Sequence, residues 1–496
     1  MNRTRLLAGV VPAAVLASLF GACAPEIVEE PFEPSASHED YTEALSRLDL
    51  DETAMGIGWL AAAADALAAP AVVDTPFSEV ALIDPREPQA LGYEFVVGRG
   101  RAVTITVVAE VDRYFADLYR IDAEERAASG SRSGLTLVAS RPDDADQIRF
   151  EPRRDGRYVV RIQPELLRGG RFEVTIAATA SLSFPVEGGD PGDILSFYGD
   201  GRDGGIRRHE GVDIFAPRGT RLLAASDSLV ARVGERDRGG NIVTLYDEER
   251  DLMLYYAHLE EQLVEQGTRV RRGDVIGTMG NSGNAITTPP HLHIGLYQGG
   301  WRYDVDPWDY FVDPPRIEPE PVRHAELVGA WARLAVEAMT SRRFQAPQPA
   351  PRWVNRNPLL RLEGAGETMG EDAATDDPAD RAALSDAAEP AEFQEVPAAA
   401  SEKTLPEETP VRVIAASGGL VRVALPAGGH AYLDPRSMTR DLPIVNVDTA
   451  RQLRDPATGD TFATVAAGVQ VAFLGRTGAR TYVELDDGRV GYFEGG

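Results

Sequence analysis

Histidine and aspartate residues in the middle of the chain have types and spacing that suit metal-dependent hydrolysis. His209 and Asp213 lie four residues apart, and His258 follows in an alternating apolar segment. Further along, His291 and His293 are separated by a single residue. Zinc binds imidazole nitrogen and carboxylate oxygen, and a catalytic zinc site has three protein ligands with a fourth position left for water. Two histidines and one aspartate supply that ligand set, so the sequence predicts one Zn²⁺ per chain.

The His-x-His pair indicates how the site is built. In a β-strand, residues two positions apart face the same side. His291 and His293 therefore point into one cavity, while Leu292 and Ile294 face the packed side. Only one histidine of the pair needs to contact the metal, and the other can act on metal-bound water. The sequence has no His-Glu-x-x-His motif, so a histidine, with an ordinary pKa of about 6.5, is the expected general base.

Each of these elements taken alone has an ordinary structural explanation. A His-x-His pair also occurs in cores with satisfied hydrogen bonds, and His258 alone would more often be a packing or surface histidine. Gly267–Gly283 lacks the lysine of a phosphate-binding loop and is better explained by tight turns. In Asp200–Gly204, Arg202 occupies a position where a calcium loop needs an oxygen donor, so a mobile loop beside the groove is expected. The combination in one β-rich block favours zinc.

Two tyrosines near these residues keep two interpretations open. Tyr198 and Tyr256 each lie within or beside the motifs. Either hydroxyl could hydrogen-bond the transition state, and either ring could equally serve packing.

A longer pattern around these residues resembles the lysostaphin- and LytM-type zinc endopeptidases of bacterial cell walls. The pattern covers roughly residues 196–297 and ends at a Pro-His-Leu-His segment. Its motifs are Ser196-Phe197-Tyr198-Gly199, His209-x-Gly211-x-Asp213, Ala216-Pro217-x-Gly219-Thr220, Tyr256-x-His258-Leu259 and Pro290-His291-Leu292-His293.

This resemblance implies a fold, a ligand set and a reaction. His209, Asp213 and His293 are the implied metal ligands, and His258 and His291 are the implied catalytic residues that do not bind the metal. The implied fold is an antiparallel β-structure with an open groove, the duplicated hybrid motif. The implied reaction is hydrolysis of peptide bonds in peptidoglycan stem peptides or cross-links. His291 is our first choice for orienting and deprotonating water, with His258 stabilising the oxyanion, although the two roles can be exchanged.

Two other classes of function compete with an endopeptidase. One is a non-catalytic LytM-like activator of a separate cell-wall amidase; such proteins typically lack zinc ligands, whereas all five key residues are present here. The other is a wall-binding or tethering protein that acts through its accessory domains. The complete residue set favours the enzyme.

The segments before the motifs predict an accessory domain. Residues 41–70 are rich in alanine and leucine and predict a helical segment. Residues 71–184 contain runs of period two separated by Asp-Gly and Gly-Gly turns, which indicate an N-terminal β-sandwich. The zinc endopeptidase domain is then expected over residues 185–313.

The segments after the motifs predict a linker and a repeat. A helical segment is expected over 314–345 and a disordered acidic linker over 346–390. A repeat with a period of 60 residues follows, in which Val423 and Tyr432 align with Val483 and Tyr492. It resembles two bacterial Src-homology-three-like modules, 391–440 and 441–496, expected as small β-barrels that bind an envelope protein partner or only space the enzyme.

The N-terminus predicts export. Residues 1–23 contain arginines, an apolar stretch too short to span a bilayer comfortably, and a final Gly-Ala-Cys that resembles a lipobox. Cys23 is the only cysteine and would be lipidated, anchoring the chain at the periplasmic face of a membrane, most simply the outer membrane. Plain secretion is the alternative. The acidic, proline-containing residues 24–40 predict a tether.

Length and charge limit the remaining possibilities. A chain of 496 residues exceeds one ordinary hydrophobic core. Its formal net charge of −28 argues against nucleic acid as a partner and against electrostatic adhesion to anionic lipid. The sequence thus predicts a mainly β, multidomain protein with peptidoglycan as its substrate.

Overall fold

The computed structural model of the protein describes residues 37–122, 134–142, 145–339, 404–426 and 429–495. The expected signal peptide with its lipobox, most of the tether and the acidic linker lie outside the described residues. Among the helices that are described, none is long and apolar enough to cross a membrane. The mainly β, multidomain fold expected from the sequence is confirmed.

Two helices precede the first sheet, α1 (His38–Arg47) and α2 (Ala54–Ala68). Each begins at a hydroxyl side chain that accepts a hydrogen bond from a backbone amide in the first turn, Ser37 for α1 and Thr53 for α2. The buried Trp59 of α2 packs the helices onto the following sandwich, since its indole donates to a backbone carbonyl of that domain. The expected helical segment is thus a pair of short helices.

Two sheets then face each other across a common core. The first has the order β1-β3-β8-β5-β6, and the second contains β2-β9-β4-β7. Along β4 the buried residues Val103, Ile105 and Val107 alternate with more exposed ones, as period two requires. The strands are β1 (Ala71–Val72), β2 (Phe77–Ile83), β3 (Leu91–Val97), β4 (Arg101–Ala109), β5 (Tyr114–Ile121), β6 (Leu135–Ser140), β7 (Gln147–Phe150), β8 (Gly156–Pro164) and β9 (Gly170–Ala180).

The central domain is one antiparallel sheet whose order is β10-β13-β20-β17-β16-β15-β18, with β14, β19 and β21 paired at its sides. The strands are β10 (Ile194–Ser196), β11 (Gly201–Arg202), β12 (Arg207–Arg208), β13 (Val212–Phe215), β14 (Arg221–Leu223), β15 (Ser228–Arg236), β16 (Gly240–Asp247), β17 (Leu252–Gln262), β18 (Arg269–Val270), β19 (Val275–Met279), β20 (His291–Gln298) and β21 (Tyr303–Val305). Strands β11 and β12 pair only with each other. A single helical turn, α3 (Trp308–Phe311), follows.

The C-terminal region forms two further groups of strands. The first contains β22 (Trp331–Leu334), β23 (Ala338–Met339), β24 (Thr404–Leu405), β25 (Pro410–Ser417), β26 (Leu420–Ala424), β27 (His430–Leu433) and β28 (Met438–Thr439). The second contains β29 (Ile444–Asn446), β30 (Arg451–Arg454), β31 (Thr461–Val465), β32 (Gln470–Thr477), β33 (Arg480–Glu484) and β34 (Val490–Glu494). Strands β25, β26 and β27 match β32, β33 and β34 at an offset of 60 residues, so the sequence repeat is a repeat of three antiparallel strands.

The helical segment expected over 314–345 is wrong. The described part of that range contains β22, β23 and one turn of 3-10 helix at Ala325–Leu327. Strand β22 is held by pairing with β25 and β28, and its alternate residues Ala332 and Leu334 are buried. Pairing with strands distant in sequence therefore outweighs the local spacing of apolar residues that indicated a helix.

The C-terminal modules, expected as small β-barrels, do not form closed barrels within the described residues. Within the described residues, the strand order of both C-terminal groups is open. Strand β25 uses one edge for β22 and for β2 of the sandwich, where Val80 lies opposite Ala416. The first module therefore extends the sandwich sheet to nine strands.

A buried charge cluster joins that module to the sandwich. Glu79 of β2 is fully buried and accepts hydrogen bonds from the Arg422 guanidinium (2.7 Å), the Tyr432 hydroxyl (2.9 Å) and the Tyr93 hydroxyl. Burial without these donors would strongly disfavour the carboxylate. The cluster therefore fixes the register between the two parts.

We expect Glu79→Ala to destabilise the chain by about 3–5 kcal/mol, because it leaves the buried Arg422 charge without its partner. Urea denaturation measures the free energy of unfolding. The matched control is Glu248→Ala, which removes an exposed ion pair with Arg269 and should change stability little. Equal effects of the two substitutions would show that the buried cluster does not hold the parts together.

Candidate metal centre

Three neighbouring strands bring the predicted site residues together. On β13 and β20, Asp213 lies opposite His293, and on β17 Ala257 lies opposite the same histidine. Leu292 is fully buried in the domain core, as is Ile294. The pleat therefore directs the two histidines of β20 to the other face, as the sequence predicted.

His209 reaches the same face from the segment before β13. Its backbone amide donates to the Asp200 carbonyl at 2.8 Å, and its own carbonyl accepts from the Gly199 amide at 2.7 Å. Gly211 follows, where a Cβ atom would lie 2.8 Å from Cε1 of His293. Only a glycine allows the backbone to pass this close to that imidazole.

Three potential ligand atoms converge at one point. Nε2 of His209 lies 2.9 Å from Nδ1 of His293 and 3.1 Å from Oδ1 of Asp213, and the last two atoms are 3.0 Å apart. Zinc bonds of about 2 Å in tetrahedral geometry require ligand atoms roughly 3.3 Å apart. The three ligand atoms therefore fit around a metal ion after a slight increase in the distances between them. Among the described residues, these three form the group that could hold a metal ion.

Hydrogen bonds fix which nitrogen of His209 faces this point. Its Nδ1 lies 2.9 Å from the Phe197 carbonyl oxygen, which can only accept a proton. Nδ1 therefore holds the hydrogen and Nε2 is left with a free lone pair. Burial would raise the pKa of Asp213, but the adjacent imidazoles of His209 and His293 outweigh it and hold that pKa well below its usual range.

Arg202 is the contact that the sequence did not reveal. Its Nη2 donates to Oδ2 of Asp213 at 2.7 Å, lies 2.9 Å from Nδ1 of His209 and also contacts the Ser196 hydroxyl. The loop expected to be mobile is therefore anchored by its arginine, on the hairpin of β11 and β12. This bond occupies one carboxylate oxygen and leaves Oδ1 for a metal. The signal for this contact in the sequence is an arginine seven residues before His209, in a position that excludes a calcium loop.

His258 and His291 lie beside the triangle. Their ring centroids are 5.0 Å apart, and the His258 ring is 6.0 Å from that of His293. Nδ1 of His258 bonds the Ser282 carbonyl at 2.8 Å, and Nδ1 of His291 bonds the Pro289 carbonyl at 2.9 Å. Each neutral ring therefore has its free lone pair on Nε2, the arrangement of a proton acceptor.

The environment of His258 is unusual in two ways. Burial lowers its pKa to about 4, with the nearby imidazoles acting in the same direction and the Ser282 carbonyl opposing it. Its backbone has a φ of 67°, a left-handed conformation that costs a non-glycine residue on the order of 1 kcal/mol. Strain of this kind often accompanies functional positions.

Tyr256 and Tyr198 lie in different environments. Tyr256 is fully buried, and its hydroxyl donates to the Leu223 carbonyl and accepts from the Ala225 amide. It therefore serves packing. The Tyr198 hydroxyl donates to the Asp304 carboxylate at 2.7 Å, which ties the segment before His209 to β21.

Part of the chain is similar to known peptidases. Residues 207–307 match the family model of peptidase family M23. The chain is 39% identical over 97 residues to the peptidoglycan DD-endopeptidase ShyC of Vibrio cholerae, a match covering 20% of this chain and 22% of that protein. It is 35% identical over 125 residues to the L-Ala–D-Glu endopeptidase of Bacillus subtilis, covering 23% of this chain and 38% of the relative.

One solved structure is similar to part of the chain. The catalytic domain of lysostaphin from Staphylococcus simulans is 30% identical, with 23% of this chain and 87% of that chain covered and a TM-score of 0.21. The chain spans well under half the length of the curated relatives reported above. Within that span, the predicted resemblance to lysostaphin- and LytM-type endopeptidases is confirmed, since residues 207–307 match the model of peptidase family M23.

Proposed function

We propose that the chain is a zinc-dependent endopeptidase that hydrolyses peptide bonds in peptidoglycan stem peptides or cross-links during cell-wall remodelling. The proposal depends on one observation: ligand atoms of His209, Asp213 and His293 lie 2.9 to 3.1 Å apart, with two further imidazoles beside them. The M23 match and relatives named as endopeptidases support the same reaction.

We assign His209, Asp213 and His293 as the ligands of one zinc ion per chain. Two imidazoles and one carboxylate form a ligand set typical of catalytic zinc. Zinc in this position supplies a Lewis acid that polarises the scissile carbonyl and lowers the pKa of water towards about 7. The Phe197 carbonyl and Arg202 keep His209 and Asp213 in the orientation that this binding needs.

We assign proton transfer to His291 and His258. His291 orients the attacking water and accepts its proton at Nε2, since its Nδ1 is already held by a carbonyl. In this assignment His258 stabilises the oxyanion as an imidazolium, although burial lowers its pKa to about 4 and favours the neutral ring. Because both rings have the same tautomer, the exchanged assignment, in which His258 accepts the proton and His291 donates, is the alternative.

The location proposed for the enzyme follows from its N-terminal sequence. A lipidated Cys23 would anchor the chain as a lipoprotein at the periplasmic face of a membrane, in our proposal the outer membrane. The sandwich over 71–184 and the C-terminal repeat would then position the peptidase domain over 185–313 against the wall, with an envelope protein partner at the repeat. An amidase activator is the second candidate, and the complete set of ligands and acceptors disfavours it.

We expect Asp213→Ala to abolish both zinc binding and peptidoglycan hydrolysis, since two histidines alone leave the metal without its charged ligand. Zinc content is measured by plasma mass spectrometry, and hydrolysis by release of fragments from purified peptidoglycan, whose masses identify the bond. A metal-free variant that cleaves as fast as the parent would exclude this carboxylate as a ligand.

His291→Ala should retain stoichiometric zinc yet lose at least about 100-fold in hydrolysis rate, the usual contribution of a general base. The same two assays are applied. Zinc loss from this variant would make His291 a ligand, and undiminished hydrolysis would assign the proton to another group. His258→Ala, assayed in parallel, ranks the two acceptors.

Arg202→Ala should weaken zinc binding about 10- to 100-fold, because Asp213 loses the donor that orients it. Competition with a chelator of known affinity measures the dissociation constant. Arg208→Ala is the matched control, since it removes an exposed arginine of the same hairpin that pairs with Asp304. Identical affinities for the two variants would refute the orienting role.

A further inference from the structure

Three aromatic rings extend from the metal centre along the same face of the sheet. The ring centroid of Tyr255 lies 6.1 Å from that of His293 and 5.8 Å from that of Trp301, and the Trp301 and Tyr297 rings are 4.7 Å apart. We name Tyr255, Tyr297 and Trp301 the aromatic ledge. Trp301 is 45% exposed, so its ring is available to a ligand.

The sheet register explains why the ledge faces the metal centre. His293, Gly295 and Tyr297 are alternate residues of β20 and share one face, and Tyr255 of β17 lies opposite Gly295. A Cβ atom at Gly295 would lie 2.9 Å from the Tyr297 ring and 3.0 Å from the Glu210 carbonyl oxygen. The glycine therefore lets the Tyr297 ring and the Glu210 carbonyl lie close against the sheet between the metal centre and the ledge.

The backbone of Trp301 is a second, independent observation. Gly299, Gly300 and Trp301 connect β20 to β21 with φ values of 61°, 64° and 77°. Glycine adopts this left-handed conformation freely, whereas tryptophan does so at a cost. The Trp301 ring is 45% exposed, so burial in a core does not account for a tryptophan here. Such an outlier points to a role outside folding.

Positive charge lies on the other side of the ledge. Arg232 of β15 lies opposite Thr244, which lies opposite Tyr255, so all three belong to one row across the sheet. Arg232 and Arg236 are exposed, and neither has an ion pair with a carboxylate of the described residues. Both arginines act electrostatically on the Tyr255 hydroxyl, so they place positive charge beside the ledge.

We propose that the aromatic ledge binds a pyranose ring of the glycan strand, with the stem peptide running from that sugar into the metal centre. This inference rests on the proposed function. A pyranose has an apolar face of C–H groups that stacks on exposed indole and phenol rings, while carboxylates of the stem are matched by Arg232 and Arg236. A peptide alone offers carboxylates but no flat apolar face for Trp301.

The spacing limits how far the cleaved bond lies from the sugar. The ring contacts that lead from His293 to Trp301 measure 6.1 and 5.8 Å. An extended residue spans at most about 3.6 Å, so about four residues cover the path. The ledge therefore selects a bond near the sugar end of the stem.

The test compares two soluble substrates, a disaccharide-bearing muropeptide and the same peptide after enzymatic removal of the sugar. We expect Trp301→Ala to lower kcat/KM about tenfold on the sugar-bearing substrate, through KM, and to leave kcat/KM on the sugar-free peptide unchanged. Trp301→Phe should recover part of the loss. Leu263→Ala, which removes a similarly exposed apolar side chain away from the ledge, should behave as the parent on both substrates.

Two outcomes overturn the inference: an equal loss on both substrates, which makes the peptide the occupant, or no loss on either. Circular dichroism confirms that each variant is folded. If the parent cleaves neither substrate, the proposed function fails but the ledge is still tested. Calorimetric titration of the His291→Ala protein with the sugar-bearing muropeptide gives a Kd, and an unchanged Kd after Trp301→Ala refutes sugar binding.

Discussion

The alternation of side chains along β20 is the constraint on which the rest of the molecule depends. Leu292 and Ile294 are fully buried in the domain core, so a slip of one residue would bury the histidines and expose the leucine and isoleucine. The apolar core therefore fixes the register with β13 and β17. That register alone places Asp213 beside His293 and brings His258 within reach. Burial of apolar residues on one face of the sheet thus sets the geometry of the polar site on the other face.

A second layer of hydrogen bonds converts that placement into defined chemistry. The backbone carbonyls of Phe197, Ser282 and Pro289 each accept a hydrogen bond from Nδ1 of one histidine, so Nε2 of each ring is left with a free lone pair. Arg202 donates a hydrogen bond to one oxygen of the Asp213 carboxylate. The cost of holding these groups in position is met during folding, so the candidate metal centre is preorganised. The acceptors are backbone atoms, so they cannot be recognised from residue types.

Much of the site could be read from the sequence because it obeys local rules. The His-x-His spacing and the run of motifs from Ser196 to His293 depend on strand period and on chain order, both visible in one dimension. Arg202 could not be placed, since its partner is set by how a hairpin folds over the sheet. The spacing of apolar residues at β22 indicates a helix, but the segment forms a strand because it pairs with β25, some 80 residues later. The fusion of the first repeat to the sandwich joins Glu79 to Arg422, a separation of 343 residues that no local pattern reports.

The short ladder between β23 and β24 has a consequence for how the chain is connected. Ala338 pairs with Leu405 and Met339 with Thr404, so the chain leaves the folded body and returns to it at neighbouring points of one small sheet. Everything between those points is topologically an insertion. The closure entropy of such an insertion changes only slowly with its length, so evolution or engineering can lengthen, shorten or nick it. In a chain nicked there, the pairing of β2 with β25 and the buried Glu79 contacts would hold the two halves together.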